Sequence, residues 1–199
     1  MTMRLSILER GHRPFNRMAL RLMRVIGGDP DDVVKTMLYR PAFFGRAWSA
    51  LVRSVMRAPS PWTAGEREVF GACVSRLNAT PFCEAIHTRT ASLALETTVD
   101  DRVLDDPGGS GLGPRVAATL AFLRTAATGE ATPDDVATLR ASGVTDRELL
   151  DAVEVCFVFN LVNRLANALG YSSPDDESCR RSAVMLHKMG YKMPRMLLR

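Results

Sequence analysis

Apolar residues along this chain recur at intervals of three and four, and most such stretches open on a capping residue with a proline or an acid just inside. Asp29-Pro30-Asp31-Asp32 predicts a short helix that the Arg40-Pro41 step interrupts. Phe44, Ala47, Trp48, Leu51 and Val55 continue a helical stripe over 42–56, and Pro59 and Pro61 stop it. Thr63 with Glu66 forms a capping box ahead of Val69, Phe70, Cys73 and Leu77. Thr80-Pro81 opens the next helix, through His87, Ala91 and Leu95. Pro107, Gly108, Gly109, Gly111 and Gly113 make 100–113 a predicted loop, and no Gly-Lys-Ser/Thr follows to give it a phosphate-cradling role. Further helices are predicted over 114–128, from the Thr132-Pro133-Asp134-Asp135 cap, from Thr145-x-x-Glu148 to Gly170, and from Ser173-Pro174.

No strand alternation competes with these signals, no heptad persists, and no short-period repeat is visible. The pattern therefore predicts a compact all-α bundle. It divides into a basic N-terminal helical extension (1–28), a helical domain (29–171), and a C-terminal helix with a basic tail (172–199). In the extension, Arg13, Arg17, Arg21 and Arg24 line one helical face while Phe15, Met18, Leu22 and Ile26 tend to another. Such a helix suits an anionic membrane, an organelle-targeting segment or a packing arm, and we read it as a packing arm with a solvated basic face.

Composition narrows the class. Of 199 residues 46% are hydrophobic and 24% charged, too apolar for a disordered chain, and no apolar run approaches the ~20 residues of a membrane span. The net charge of +4 is uneven: residues 1–26 sum to +5 and 180–199 to +6, leaving the middle at −7. Contacts at the ends are expected, with no nucleic-acid surface and no membrane partner. Cys73, Cys83, Cys156 and Cys179 are dispersed, and no secretory leader is evident, so a cytoplasmic, reducing setting is expected. His12 and His187 have no partners at ligand spacing, so neither a metal nor a cofactor is called for. Asn160, Asn163 and Asn167 form a stripe on the longest helix, read as hydrogen bonding in the core or at a subunit contact. Met37, Met56 and Met185 read as packing residues, while Met189, Met193 and Met196 cluster in the tail.

The stretch EREVFGACVSRLNATPFCEAIH, residues 66–87, carries the candidate chemistry. Cys83 and His87 lie four apart on one helix, so a thiol and a base share a face. Thr80 as N-cap and Pro81 as first helical residue make Cys83 the third helical position, where free N–H groups and the helix dipole favour a thiolate with a lowered pKa. The Thr80 hydroxyl is expected to cap the Cys83 N–H. Glu68, on the preceding helix, can approach His87 across the interface and orient its ring.

These residues, with LLDAVEVCFVFNLVNRLANALG downstream, resemble the carboxymuconolactone decarboxylase and alkylhydroperoxidase D-like superfamily, especially its peroxidase-related members. The resemblance runs from about Asp29 to Gly170. It implies the alkylhydroperoxidase D-like helical fold, with Glu68 as proton-relay carboxylate, His87 as relay histidine and Cys83 as the cysteine that reacts with peroxide. Thr80 stands where the family's peroxidases have the first, resolving cysteine, so a sulfenic acid at Cys83 would need another thiol, from a small molecule, a reductant protein, or Cys73, Cys156 or Cys179. The expected function is a thiol-dependent peroxidase-like oxidoreductase acting on a peroxide or small organic substrate, in a homo-oligomer. A decarboxylase-like enzyme using Glu68 and His87, and a non-catalytic binding scaffold, are the alternatives.

Overall fold

The computed structural model describes residues 3–106, 108, 111–129 and 131–198, and these hold helices and no strand. The helices are α1 (Ile7–Arg10), α2 (Pro14–Gly27), α3 (Asp32–Tyr39), α4 (Arg46–Arg57), α5 (Ala64–Leu77), α6 (Pro81–Leu95), α7 (Asp101–Asp105), α8 (Pro114–Thr128), α9 (Pro133–Ala141), α10 (Asp146–Leu169) and α11 (Asp176–Met189). A single π-helical turn over Pro41–Gly45 joins α3 to α4, and a short 3₁₀ turn over Arg195–Leu198 follows α11.

The capping boxes form as the sequence pattern implies. Thr63 and Glu66, Thr132 and Asp135, and Thr145 and Glu148 each exchange side chain and backbone hydrogen bonds at the start of α5, α9 and α10. The last helix starts later than its Ser173-Pro174 signal, with Asp175 as the residue that caps α11. The predicted 100–113 loop contains α7, because Asp100 accepts from the N–H groups of Arg102 and Val103 and nucleates a turn. Arg76 of α5 then holds α7 through Asp101 and Asp105. Pro107 and Gly109 of that loop lie outside the described residues.

At the centre lies α5, buried almost continuously from Arg67 to Ser75 and packed against α6, α8 and α10. A buried polar helix face needs partners. Arg67 supplies two, donating to the Val55 and Ala58 carbonyls at the C-terminal end of α4. Trp62 meets Phe70 edge-on and donates its indole N–H to the Glu148 carbonyl, fixing the entry to α5 against α10.

The N-terminal segment departs from the packing-arm expectation. Leu20 and Asn16 of α2 are buried, with the Asn16 amide on the Leu38 carbonyl, but the apolar stripe points away from the core. Val25 is 84% and Ile26 77% exposed, and Phe15, Met18 and Leu22 are exposed as well. The reason lies in helix angle: Asn16 and Leu20 share one side, and the stripe sits about two-fifths of a turn round from it. No helix among the described residues is long and apolar enough to cross a membrane.

Residues 190–198 fold back on the bundle. Ser49 donates to the Tyr191 carbonyl, Arg46 to that of Leu198, and Leu197 and Leu198 are buried.

Candidate active site

The α5–α6 connection sets the register of the site. Ala79 adopts a left-handed φ of 48°, its N–H donates to Arg76 O and the Thr80 N–H to Ser75 O, a Schellman closure of α5. Amides from α10 hold the turn. Asn78 donates to Asn160 Oδ1, and Asn167 donates to the Asn78 carbonyl. The asparagine stripe thus bonds within the chain, and Asn163 adds a bond from Ser75.

Thr80 does not act as expected. Its hydroxyl donates back to the Asn78 carbonyl at 3.2 Å and makes no side-chain cap of α6. At φ −115°, ψ 78° the residue is committed to closing the Schellman turn, which turns the hydroxyl towards the turn rather than the start of α6.

Nearly three turns of α5 before that connection, Glu68 is fully buried, and its Oε2 lies 2.6 Å from His87 Nδ1 on α6. Arg57, the last residue of α4, reaches Oε1 at 2.5 Å. The Tyr191 hydroxyl donates to the same carboxylate at 3.0 Å and 3.2 Å, and the Arg57 guanidinium lies 5.0 Å from the Tyr191 ring centre. Burial pushes the Glu68 carboxyl up, but the His87 bond and charge, with the Arg57 charge, outweigh it and hold the group below the ordinary carboxylate value. Phe159 of α10 meets the His87 ring edge-on at 4.7 Å. It can do so because α5 carries Gly71 there: a Cβ at that position would run into the Phe159 ring. The imidazole is thus clamped by a carboxylate on one nitrogen and an aromatic edge on its side.

Cys83 and His87 both line a cavity of about 300 Å³. Its walls are mostly apolar, from Trp48, Val52, Phe82, Ile86 and Phe159, with methionines 23, 37, 185, 189 and 193. Two of the methionines set apart as a tail cluster, Met189 and Met193, are cavity walls, and Met196 is exposed. Asp31, bonded to the Ser182 hydroxyl, stands on the wall with the polar groups of Ser49, Tyr191 and Lys192. With Nδ1 turned to Glu68, the free Nε2 is the imidazole nitrogen left to serve the cavity.

The expected lowering of the Cys83 thiol is reversed. Burial, with the nearby Asp31 carboxylate second, pushes it up to about 12. Although Lys192 also lines the cavity, no cation offsets the burial of the thiol, no hydrogen bond joins Cys83 to His87 among the described residues, and the apolar wall disfavours the anion more than the helix start helps it. Cys73, Cys156 and Cys179 are raised by burial too, and all four cysteines are free. Of the four, Cys83 alone lines this cavity; Cys179 donates to the Ala85 carbonyl on another side of α6.

Cys83 and His87 therefore share one cavity, Glu68 backs His87 from behind its wall, and Thr80 faces the turn. Arg57 and Tyr191 were not singled out by the sequence. Arg57 carries no motif, and Tyr191 lies 123 positions from Glu68, its one signal being an aromatic just past the helix-ending Gly190.

Among solved structures, the chain is similar to the alkylhydroperoxidase AhpD core of an uncharacterized peroxidase-related protein from Ralstonia eutropha JMP134. The TM-score is 0.73 at 25% identity, over 90% of this chain and 97% of that one. The chain has the alkylhydroperoxidase D-like, all-α fold. An uncharacterized peroxidase-related protein from Silicibacter sp. TM1040 shares that fold with a TM-score of 0.70 at 21% identity, over 89% of this chain and 94% of that one. No protein-family model and no curated protein matches the chain.

Proposed function

We propose that the protein is a thiol-dependent peroxidase-like oxidoreductase that reduces apolar organic hydroperoxides at Cys83. The carrying observation is the buried Glu68–His87 pair at 2.6 Å, opening beside Cys83 onto one apolar cavity. A thiol held neutral is protected at rest and needs a base at the moment of attack. His87 Nε2 takes the Cys83 proton as sulfur attacks the distal oxygen of the hydroperoxide. The O–O bond breaks, the departing alkoxide recovers the proton from the imidazolium, and the products are an alcohol and a Cys83 sulfenic acid. Glu68 holds the ring by its other nitrogen and stabilises its charge, with Arg57 and Tyr191 fixing the carboxylate. An external thiol condenses with the sulfenic acid, releasing water and leaving a mixed disulfide, and a second thiol frees Cys83. An external donor is required because Thr80 carries no sulfur and no second cysteine lines the cavity.

The test is capture of a Cys83 sulfenic acid by a dimedone-type probe after cumene hydroperoxide, read by mass spectrometry against Cys83→Ser. Label at Cys83 supports the reading, and no label with bound probe on another cysteine opposes it. The raised thiol beside an intact acid–base pair favours one second reading, proton transfer on a small organic acid by Glu68 and His87. That activity would survive Cys83→Ser, whereas peroxide reduction would not.

A further inference from the structure

We infer that α2 is a docking element for anionic bilayer surfaces, with a headgroup phosphate seated in the basic cleft beside it. Two features of the same helix lie side by side. The first is the exposed stripe of Phe15, Met18, Leu22, Val25 and Ile26, an apolar face left uncovered on a short helix with no acidic residue along its length. The second is the adjoining row of Arg17, Arg21 and Arg24, one turn apart, which forms a wall of a cleft of about 320 Å³ together with Arg10 and Lys35. Lys35 bonds Asp29 and Asp32, and Arg24 also pairs with Asp29. Arg10, Arg17 and Arg21 have no carboxylate partner among the described residues, although Glu9 also lines the cleft. Unneutralised guanidinium groups next to exposed Val and Ile match the layering of a membrane surface, with phosphate outside and acyl chain beneath.

The charge pattern favours a bilayer over a second copy. Antiparallel pairing of two α2 stripes would set both arginine rows on the same side of the seam, with no acid on either helix to offset them. The attachment is peripheral, since no described helix is long and apolar enough to cross a membrane. Met23 of the same helix is a wall of the Cys83 cavity, so docking through α2 places that cavity close to the lipid phase. The inference stands apart from the peroxidase reading, because binding is scored without any turnover.

The test is sedimentation of the full chain with vesicles of phosphatidylcholine alone and of phosphatidylcholine mixed with phosphatidylglycerol. Binding is expected to the mixed vesicles only, weakening with salt. It should fall about tenfold or more in Arg17→Glu with Arg21→Glu, and also in Val25→Ser with Ile26→Ser, whose exposed positions leave folding intact by circular dichroism. Failure to sediment with mixed vesicles overturns the inference. So does displacement by millimolar inorganic phosphate with no effect of the serine variant, which would mark a free-anion site. A dimer in light scattering that the serine variant converts to monomer, without vesicle binding, would assign the face to a second copy.

Discussion

Glu68 gathers three donors at a fully buried position, and that fixes how single substitutions there should behave. Its carboxyl is held below the ordinary value, so its pairing adds stability above the unfolded carboxylate value of about 4.3 and is lost as pH falls through the lower folded value. Glu68→Gln removes that charge, leaves the largely buried Arg57 without its carboxylate, and should cost about 3–5 kcal/mol near neutral pH. The gap between wild type and variant should narrow as the solution is acidified, a trend that melting curves over a pH series will show. Cys83 makes the opposite statement. With its thiol pushed up to about 12, alkylation by iodoacetamide should be slow at neutrality and keep rising through pH 9 without a plateau. A plateau near pH 7 in quenched mass-spectrometric time courses would contradict the neutral-thiol account.

How far the site could be read in advance follows from which contacts are local. Cys83 and His87 are one helical turn apart and Glu68 is 19 positions before His87 across a short turn, so helical spacing places all three. Arg57 and Tyr191 arrive from separate elements, and no spacing rule reaches them. The thiol's environment is hidden from the sequence for a related reason. The helix start that favours a thiolate is visible in Thr80-Pro81, whereas the apolar wall that opposes it comes from α2, α3, α4, α10 and α11.

Among the elements, the α5–α6 hairpin carries strain that can be relieved. Ala79 sits in the left-handed region at an exposed position, a conformation that costs an L-residue about 1–2 kcal/mol. Ala79→Gly should stabilise the chain by about 0.5–1 kcal/mol after the glycine's extra unfolded-state entropy is set against that relief. Urea unfolding measures it, and a loss of stability would mean that the turn does not close as a Schellman motif. The helices themselves were legible because capping boxes write their starts into adjacent residues, as at Thr63, Thr132 and Thr145. Two departures arise where a competing local bond wins. Asp100 nucleates α7 inside a glycine-rich stretch, and Thr80 turns its hydroxyl to Asn78.

At the scale of the whole molecule, the chain's last residues complete the site built by its middle. Tyr191, Met193 and Pro194 cover the cavity, and Tyr191 reaches Glu68 from beyond α11. Tyr191→Phe keeps the covering ring and deletes one hydrogen bond to a charged group, so it should cost about 1.5–3 kcal/mol of stability while leaving Cys83 shielded from iodoacetamide. A faster alkylation in that variant would show that the hydroxyl, rather than the ring and its neighbours, keeps the tail closed. The central claim is that Glu68 and His87 act as one unit on the Cys83 proton. The most direct measurement is the rate of Cys83 oxidation by cumene hydroperoxide in wild type, Glu68→Gln, His87→Gln and the double variant, each checked for folding by circular dichroism. Each single change should slow oxidation about 10²-fold or more, with the double variant little slower than either. Oxidation at the wild-type rate in all three folded variants would contradict the account.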